Sequence, residues 1–552
     1  MCIRDSSEPI PLSAVEATVL QAWTEIFGFE AIARDDDFFA IGGDSILSIQ
    51  VVSRLRTAGL NVNVGDFAEN ATIANLAAIA ESRGHAEAAM STARTDGAGT
   101  RPTPIQQWFL QRELAAPWRW NQSRLLNLDS DVSYEMVQQA VVHCVAYHDG
   151  LRSRFEEHSD GWRVVVSDPD DEAKLEVIPQ REDMHEQLEA WHSSFDVRGQ
   201  LVRFLLLEPS GSRGRQLMVI AHHLVVDNVS WSILLEDLDL ACHQIRSQEP
   251  INLPAKSMSM LDWSRQLTEY AQAETTTRST AYWQELAGHS GAVPRDFRDS
   301  QKPTEQSSEV VSSTLPGLRV DSLAEANTTY TTRTVELLLS ALTRALTQWA
   351  NRSSVVIDIE GHGREPIRES IDLTRSIGWF TSFFPMLLVL PERETAGTLI
   401  KETKERYRTL PENGLSFGAV RYLCSDSNSR AELAAVPRGE VLFNFSGRTS
   451  SSTGRCLGVV PHDDRFCRAK TNERSHLLEV NMVLHEDTLK SNWTFCGRTH
   501  KPETIRRLAA AFNDALRDLI CHCNDAEAEF TPSDFPESGM DQAELDDFLN
   551  DL

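Results

Sequence analysis

Three short stretches of this 552-residue chain place residue types where chemistry could follow. Ser45 stands directly after Gly42-Gly43-Asp44 and ahead of Ile46, Leu47, Ile49, Val52 and Leu55, which are spaced as the apolar face of a helix. The glycines allow a turn that exposes the hydroxyl. A helix N-terminus offers free N–H groups and positive potential, which suit a phosphate. Taken alone, the same serine would also serve as a plain N-cap. A second stretch, His222-His223, follows an apolar run and leads to Asp227, Asn228 and Trp231. Adjacent residues on extended chain point to opposite sides, so two neighbouring histidines do not share one metal ion. One packs while the other reaches a cavity, where a neutral imidazole can transfer protons near neutral pH. Asp227 would either orient an imidazole or form a structural ion pair with an arginine, and spacing leaves both open. The third stretch is Glu360, which closes the apolar run Val355–Ile359 and opens Gly361-His362-Gly363-Arg364-Glu365. A carboxyl at a strand-to-loop junction, partly desolvated, gains a raised pKa and can act as acid or base. A solvated loop charge is the plainer role of the same residue. Gly361 and Gly363 do not form a phosphate-binding loop, and His362 lacks a partner at metal-ligand spacing.

Elements must hold these residues in place. Ser13-x-x-Glu16 is a capping box ahead of Val15, Val19, Leu20, Trp23, Ile26 and Phe27. With the helix after Ser45 and another from Thr72-Ile73, it makes a small helical bundle over residues 13–83, near the lower size limit of a self-standing domain. Residues 84–101 are small and polar without an apolar face, and read as a flexible linker. Leu201–Leu207 and Gln216–Ala221 are strand-like, joined by a turn-rich segment as a hairpin. Leu337, Leu338, Ala341, Leu342, Leu346 and Trp349 mark a helix over Glu336–Trp349. Strands alternating with helices predict an α/β unit, and about 420 residues exceed one core, so two lobes are expected, 102–265 and 266–523. The tail, 524–552, is acidic.

Composition narrows the partners. With 53 Lys and Arg against 81 Asp and Glu, the net charge is −28, which argues against nucleic acid. No apolar run reaches the ~18 residues of a membrane-spanning helix, and no signal peptide is visible. Nine scattered cysteines without CxxC spacing fit a cytoplasmic protein rather than a disulfide framework or a zinc site. No metal is expected.

The stretch Asp37-Phe38-Phe39-Ala40-Ile41-Gly42-Gly43-Asp44-Ser45-Ile46 resembles the carrier domain of nonribosomal peptide synthetases. The resemblance implies that Ser45 carries 4′-phosphopantetheine, whose thiol holds an aminoacyl or peptidyl thioester. Asp44 stands where most carriers have His, and carriers that feed an epimerization domain have Asp. His222-His223-Leu224-Val225-Val226-Asp227-Asn228 resembles the HHxxxDG signature of the condensation and epimerization superfamily, which implies that His223 is catalytic, while Asp227, like His222 and Trp231, supports the motif. Asn228 replaces the usual Gly, and Ser232 an Arg common in epimerization domains; Asn tolerates a left-handed backbone, so the turn is expected to survive. Glu360-Gly361-His362-Gly363-Arg364-Glu365 is similar to the EGHGRE motif of epimerization domains, which condensation domains generally lack. Pro104–Phe109, Ile377–Pro385, Pro411–Gly418 and Phe443–Gly447 are similar to further family segments, in family order.

The resemblance implies a four-helix carrier bundle followed by a two-lobed fold like chloramphenicol acetyltransferase, with a tunnel between the lobes. It implies reversible inversion of an aminoacyl or peptidyl residue at Cα. A thioester acidifies that proton, and inversion needs one proton removed from one face and one supplied to the other. His223 and Glu360 are assigned to the two faces, with Asn444 and backbone N–H groups near Gly361 as candidate donors to the enolate oxygen. The implied partners are an upstream adenylation domain, a downstream condensation domain and a phosphopantetheinyl transferase. The alternatives are an amide-forming condensation domain and a catalytically silent docking domain of the same fold. Residues 1–12 do not match what precedes a carrier and read as an upstream remnant or artefact, and Thr531-Pro532-Ser533-Asp534-Phe535-Pro536 resembles the link into a following module.

Overall fold

The computed structural model describes residues 12–28, 31–67, 71–84, 99–169, 174–180, 184–209, 214–299, 301–315, 320–368, 370–449, 454–462, 466–485, 488–535 and 538–550. The start at 1–11, most of the expected linker (85–98) and the tip of the hairpin turn (210–213) lie outside the described residues.

In the first bundle, α1 (Ala14–Phe27) opens on the expected capping box: Glu16 N donates to Ser13 Oγ at 3.1 Å and Ser13 N to Glu16 Oε2 at 2.7 Å. Helices α2 (Ser45–Thr57) and α3 (Ile73–Arg83) pack on it, with a short 3-10 turn at Val64–Phe67. Phe38, which follows the acidic loop, is fully buried at the centre, with its ring 5.1 Å from Trp23 and 4.9 Å from Phe67. Each such aromatic stabilises the bundle by about 1.5–3 kcal/mol, a large share for a unit this small.

The rest of the chain forms two sheets. Strands β1 (Asn121–Leu128), β2 (Ser153–His158), β3 (Gly161–Val166), β4 (Leu175–Pro179), β5 (Val202–Glu208) and β6 (Gln216–His222) precede β7 (Ser308–Leu315), β8 (Ser354–Gly361), β9 (Ser382–Val389) and β10 (Val441–Thr449). Then come β11 (Leu457–Val460), β12 (Leu478–His485) and β13 (Thr488–Cys496). The first sheet has the order β11-β1-β6-β5-β4 and the second β7-β13-β12-β10-β8-β9, while β2 and β3 form a separate hairpin. Strands β5 and β6 pair antiparallel, Val202 opposite Ala221, as the two apolar runs and the turn-rich segment between them predict. The predicted strand at Val355–Ile359 is β8, and the predicted helix at Glu336–Trp349 spans Thr334–Ala350.

The helices Tyr134–Tyr147 and Asn228–Arg246 bury their apolar faces against the first sheet, and Thr334–Ala350 and Pro502–Asp525 against the second. One strand crosses the boundary expected at 265. β11 comes from the second half of the chain yet pairs with β1 at the edge of the first sheet, Leu457 opposite Leu128. A four-residue strand at an edge carries too little pattern to reveal its partner from sequence.

The acidic C-terminal region is packed along part of its length. Asp534 takes Lys404 Nζ at 2.6 Å on one oxygen and Arg408 Nη1 at 2.8 Å on the other, and Arg408 also holds the buried Glu336 at 2.8 Å. The Lys404 side chain is wholly buried, so this pairing straps the segment Thr531–Asp534 to the second lobe. A final helix, Gln542–Asn550, follows.

Candidate active site

β6 ends at His222, and the chain turns at once. His222 stays in the core: Nε2 meets Pro117 O at 2.8 Å, and Nδ1 accepts from Leu224 N at 3.2 Å. The next residue, His223, points the other way, as expected of neighbours at a strand end. Its Nδ1 contacts Val226 O at 2.8 Å, its ring packs 4.3 Å from that of Trp379, and it lines an internal cavity of about 500 Å³. Burial lowers its pKa to about 4, with the nearby Arg468 cation adding to the effect. The imidazole is therefore neutral at physiological pH.

Glu360 approaches the same cavity from the second sheet. It sits near the end of β8, opposite Phe383 on β9 and Asn444 on β10. Burial pushes its pKa up to about 7, and Arg468 offsets only part of that rise. Near neutral pH the cavity thus holds an uncharged base from one lobe and a carboxyl poised between its two forms from the other. Asn444 donates from Nδ2 to Asn481 Oδ1 at 3.2 Å and also lines the cavity.

Asp227 does not touch an imidazole. Of the two roles left open for it, the structure contains the ion pair. Both Asp227 oxygens accept from Arg364 Nη2, at 2.9 and 3.1 Å, and both side chains are buried. Asp227 also caps the helix Asn228–Arg246 through Ser230 N at 2.7 Å and accepts from Phe380 N at 3.1 Å. Arg364 spans further, to the carbonyls of Leu373 and Ser376 at 2.8 Å each, with its guanidinium 4.0 Å from the Phe380 ring centre. The segments around His223, Glu360 and Trp379 are thereby tied together at one buried cation. Gly363 makes room for this: its φ is +66°, and a Cβ there would lie 1.8 Å from Phe380 O. Asn228 is the first residue of its helix and has no positive φ, so the turn does not need the left-handed tolerance invoked for it.

The helical bundle closes one end of the cavity. Ser45 is exposed at the first turn of α2 and lines the same cavity as His223 and Glu360, as does Asp44. Asp44 Oδ1 caps α2, accepting from Ile46 N at 2.9 Å and Leu47 N at 2.8 Å. Its Oδ2 accepts from Arg448 N at 3.0 Å, across the interface. Gly447, with φ +73°, lets the backbone of β10 come this close, because a Cβ there would lie 2.3 Å from that oxygen. Ion pairs flank the contact, Arg56 with Asp372 and, at 4.0 Å, Arg54 with Glu236, and Arg333 lies 4.8 Å from the Phe39 ring centre.

Sequence reasoning missed Gln122. It sits on β1 beside β6, its Nε2 2.9 Å from His223 Nε2, while its Oε1 accepts from Trp231 Nε1 at 2.6 Å. Arg468, paired with Glu305 at 3.1 Å and Glu479 at 3.5 Å, was missed as well. Among the described residues, no cluster could hold a metal ion, and no helix is long and apolar enough to cross a membrane.

Comparison with known proteins bears on this arrangement. A profile described as a condensation domain matches residues 101–538, and one described as a phosphopantetheine attachment site matches residues 17–80. The chain is 34% identical over 97% of its length to a linear gramicidin synthase from Brevibacillus parabrevis, covering 11% of that protein. It is also 34% identical to chondramide synthase cmdD of Chondromyces crocatus, over 100% of this chain and 14% of that protein. The chain therefore spans only a small part of these relatives. Among solved structures, the epimerization domain from the third module of tyrocidine synthetase B superposes with a TM-score of 0.70 at 31% identity, over 77% of this chain and 96% of that one. The first condensation domain of the CDA synthetase, at 16% identity and a TM-score of 0.58, covers 76% of this chain and 96% of its own and shares the fold.

Proposed function

Given that the chain belongs to the condensation-domain family and carries a phosphopantetheine attachment domain ahead of that fold, we propose that it epimerizes an aminoacyl or peptidyl thioester at Cα, reversibly, while the substrate is tethered to Ser45. The observation that carries this reading is the shared cavity. Ser45 opens on it, and His223 and Glu360 enter it from different sheets, each with its pKa displaced toward the uncharged form. Amide formation does not call for a second proton carrier facing the histidine, whereas inversion without rotating the substrate does.

The attachment site fits the arm it implies: the Ser45 hydroxyl is exposed, at a helix start, and faces the cavity. When bound, phosphopantetheine supplies the thiol that carries the acyl group as a thioester and so raises its local concentration. The protein residues do the rest. His223 Nε2 takes or returns the Cα proton on one face, and Glu360 does the converse on the other. Arg468, whose positive charge reaches both residues, stabilises negative charge between them. Asn444 and Gly361 line the wall beside Glu360, where a developing oxyanion needs donors. Asp44 seats the carrier through its bond to Arg448 N. The carrier would receive its acyl group from an upstream adenylation domain and pass it to a downstream condensation domain.

The test is to load Ser45 with an L-aminoacyl-pantetheine by a phosphopantetheinyl transferase, incubate in D2O, and analyse the released acid for Cα deuterium and chirality. Deuterium with a D/L mixture, abolished by His223→Ala and by Glu360→Gln, is the expected result. Absence of exchange, with amide formation on adding an acceptor amine, would replace this reading with condensation. Absence of both would indicate a silent docking domain.

A further inference from the structure

Catalysis by an imidazole depends on which nitrogen carries the proton, and the surroundings of His223 fix this without ambiguity. The chain of contacts starts at Trp231. An indole N–H can only donate, so the Gln122 atom 2.6 Å from Trp231 Nε1 is the amide oxygen. The Gln122 amide nitrogen then faces His223 Nε2 at 2.9 Å. That nitrogen can only donate, so His223 Nε2 is the acceptor and carries no proton. The remaining proton sits on Nδ1, which donates to Val226 O at 2.8 Å. Trp231, Gln122, His223 and Val226 thus form a relay in which every hydrogen bond runs in one direction.

We propose that Gln122 is a positioning residue that holds His223 in the Nδ1-protonated tautomer, its amide bonded to the Nε2 lone pair at the cavity wall until a substrate Cα–H displaces it, and that it opposes conversion of the ring to imidazolium. The relay supplies the reason. Protonating Nε2 would set an N–H against the N–H2 of Gln122, and Gln122 cannot flip to offer its oxygen without turning its nitrogen toward the indole N–H. Burial of the ring disfavours the imidazolium as well, while the charges around it pull both ways. Arg468 disfavours the imidazolium, Asp227 favours it, and neighbouring His222 is buried and neutral. The inference rests on the epimerase reading for its use, though not for its geometry. A base that cannot keep a proton gives it back readily, which suits a reaction with no net gain or loss of protons. Trp231 acquires a role through this relay, since it sets the orientation of the amide.

The experiment uses the full chain with 15N-labelled histidine, and His223 is assigned by its disappearance in His223→Ala. The wild type is expected to show unprotonated Nε2 and protonated Nδ1 across pH 6–8. In Gln122→Glu, a carboxylate accepts from both the indole and Nε2–H, and the midpoint of His223 should rise by about 1–3 pH units. In Gln122→Met, which keeps length and loses the donor, the Nε2 proton should become detectable as a mixed tautomer. Epimerization of the loaded chain should then acquire an acidic limb in Gln122→Glu that the wild type lacks over the same range. An Nε2-protonated His223 in the wild type would overturn the proposal, as would a midpoint that both variants leave unmoved. These readings are made on the imidazole itself, so they stand or fall whichever reaction the loaded chain catalyses.

Discussion

Replacing Asp44 with Ser separates two roles that one carboxylate performs. Oδ1 caps α2 through the N–H groups of Ile46 and Leu47, and Oδ2 accepts from Arg448 N across the interface. Serine ranks with aspartate as an N-cap, so the stability of the bundle should change by only a few tenths of a kcal/mol. It has no second oxygen, so the contact with Arg448 is lost. A hydrogen bond to a charged group contributes about 1.5–3 kcal/mol net, or about 10- to 150-fold in the ratio of docked to undocked carrier. Burial of the Asp44 carboxylate, which raises its pKa, offsets part of that gain. The expected effect is therefore at the low end, about tenfold. Single-turnover Cα exchange in D2O on the Ser45-loaded chain should slow by that factor. Exchange on a free aminoacyl-pantetheine thioester, which needs no docking, should be unaffected. Equal slowing of both substrates, or no slowing of the tethered one, would refute the assignment of Asp44 to docking.

Gly447→Ala should slow tethered exchange at least as much, because its Cβ would meet Asp44 Oδ2 at 2.3 Å. Combined with Asp44→Ser the two losses should be less than additive, read by a double-mutant cycle on the same assay. Glu360 has a folded pKa of about 7 against an ordinary 4.5, so its ionisation costs stability progressively as pH rises from 4.5 through 7. Glu360→Gln should therefore raise Tm at pH 8 and leave it near the wild-type value at pH 4, measured by calorimetry, while abolishing exchange. Arg364→Met leaves Asp227 buried without its cation and should cost about 3–5 kcal/mol in urea denaturation, part of which Asp227→Asn in the same chain should restore. Lys404→Met should likewise be recovered in part by Asp534→Asn, with exchange of a free thioester unchanged once the chain is folded.

The residues readable from sequence were those in contiguous motifs. Ser45 and Asp44 stand at a turn-to-helix junction, His223 at a strand end and Glu360 at another; each local pattern alone left a plainer role open, and the resemblance of the contiguous motifs to known families singled these residues out. The hairpin β5–β6, the capping box of α1 and the helix over Glu336–Trp349 were legible because periodicity and turn chemistry are local. Gln122 was not. It is one of four consecutive polar residues at the start of β1, Asn121 to Arg124, and its meaning comes from Trp231, more than a hundred positions away. Arg364 lay inside a recognised motif, yet its bond to Asp227 joins two motifs that the sequence only sets in order. The strap at Asp534 was not legible either: Thr531 to Pro536 reads as a link into a following module, and nothing local reveals the Lys404 and Arg408 that hold Asp534. The crossing of β11 to the first sheet was equally invisible, because pairing partners are a property of the whole fold.

That crossing also bears on how the two halves of the chain are held together. β11 leaves the second sheet's sequence, lies along β1, and the chain then returns to β12. The two halves are therefore joined through a shared sheet as well as through the covalent chain, because a strand from the second half completes the edge of the first. Ser45 stands at the end of the cavity that the helical bundle closes, so on the proposed function an acyl group tethered there enters lengthwise. The width of that passage then bears on which side chains the proposed reaction accepts.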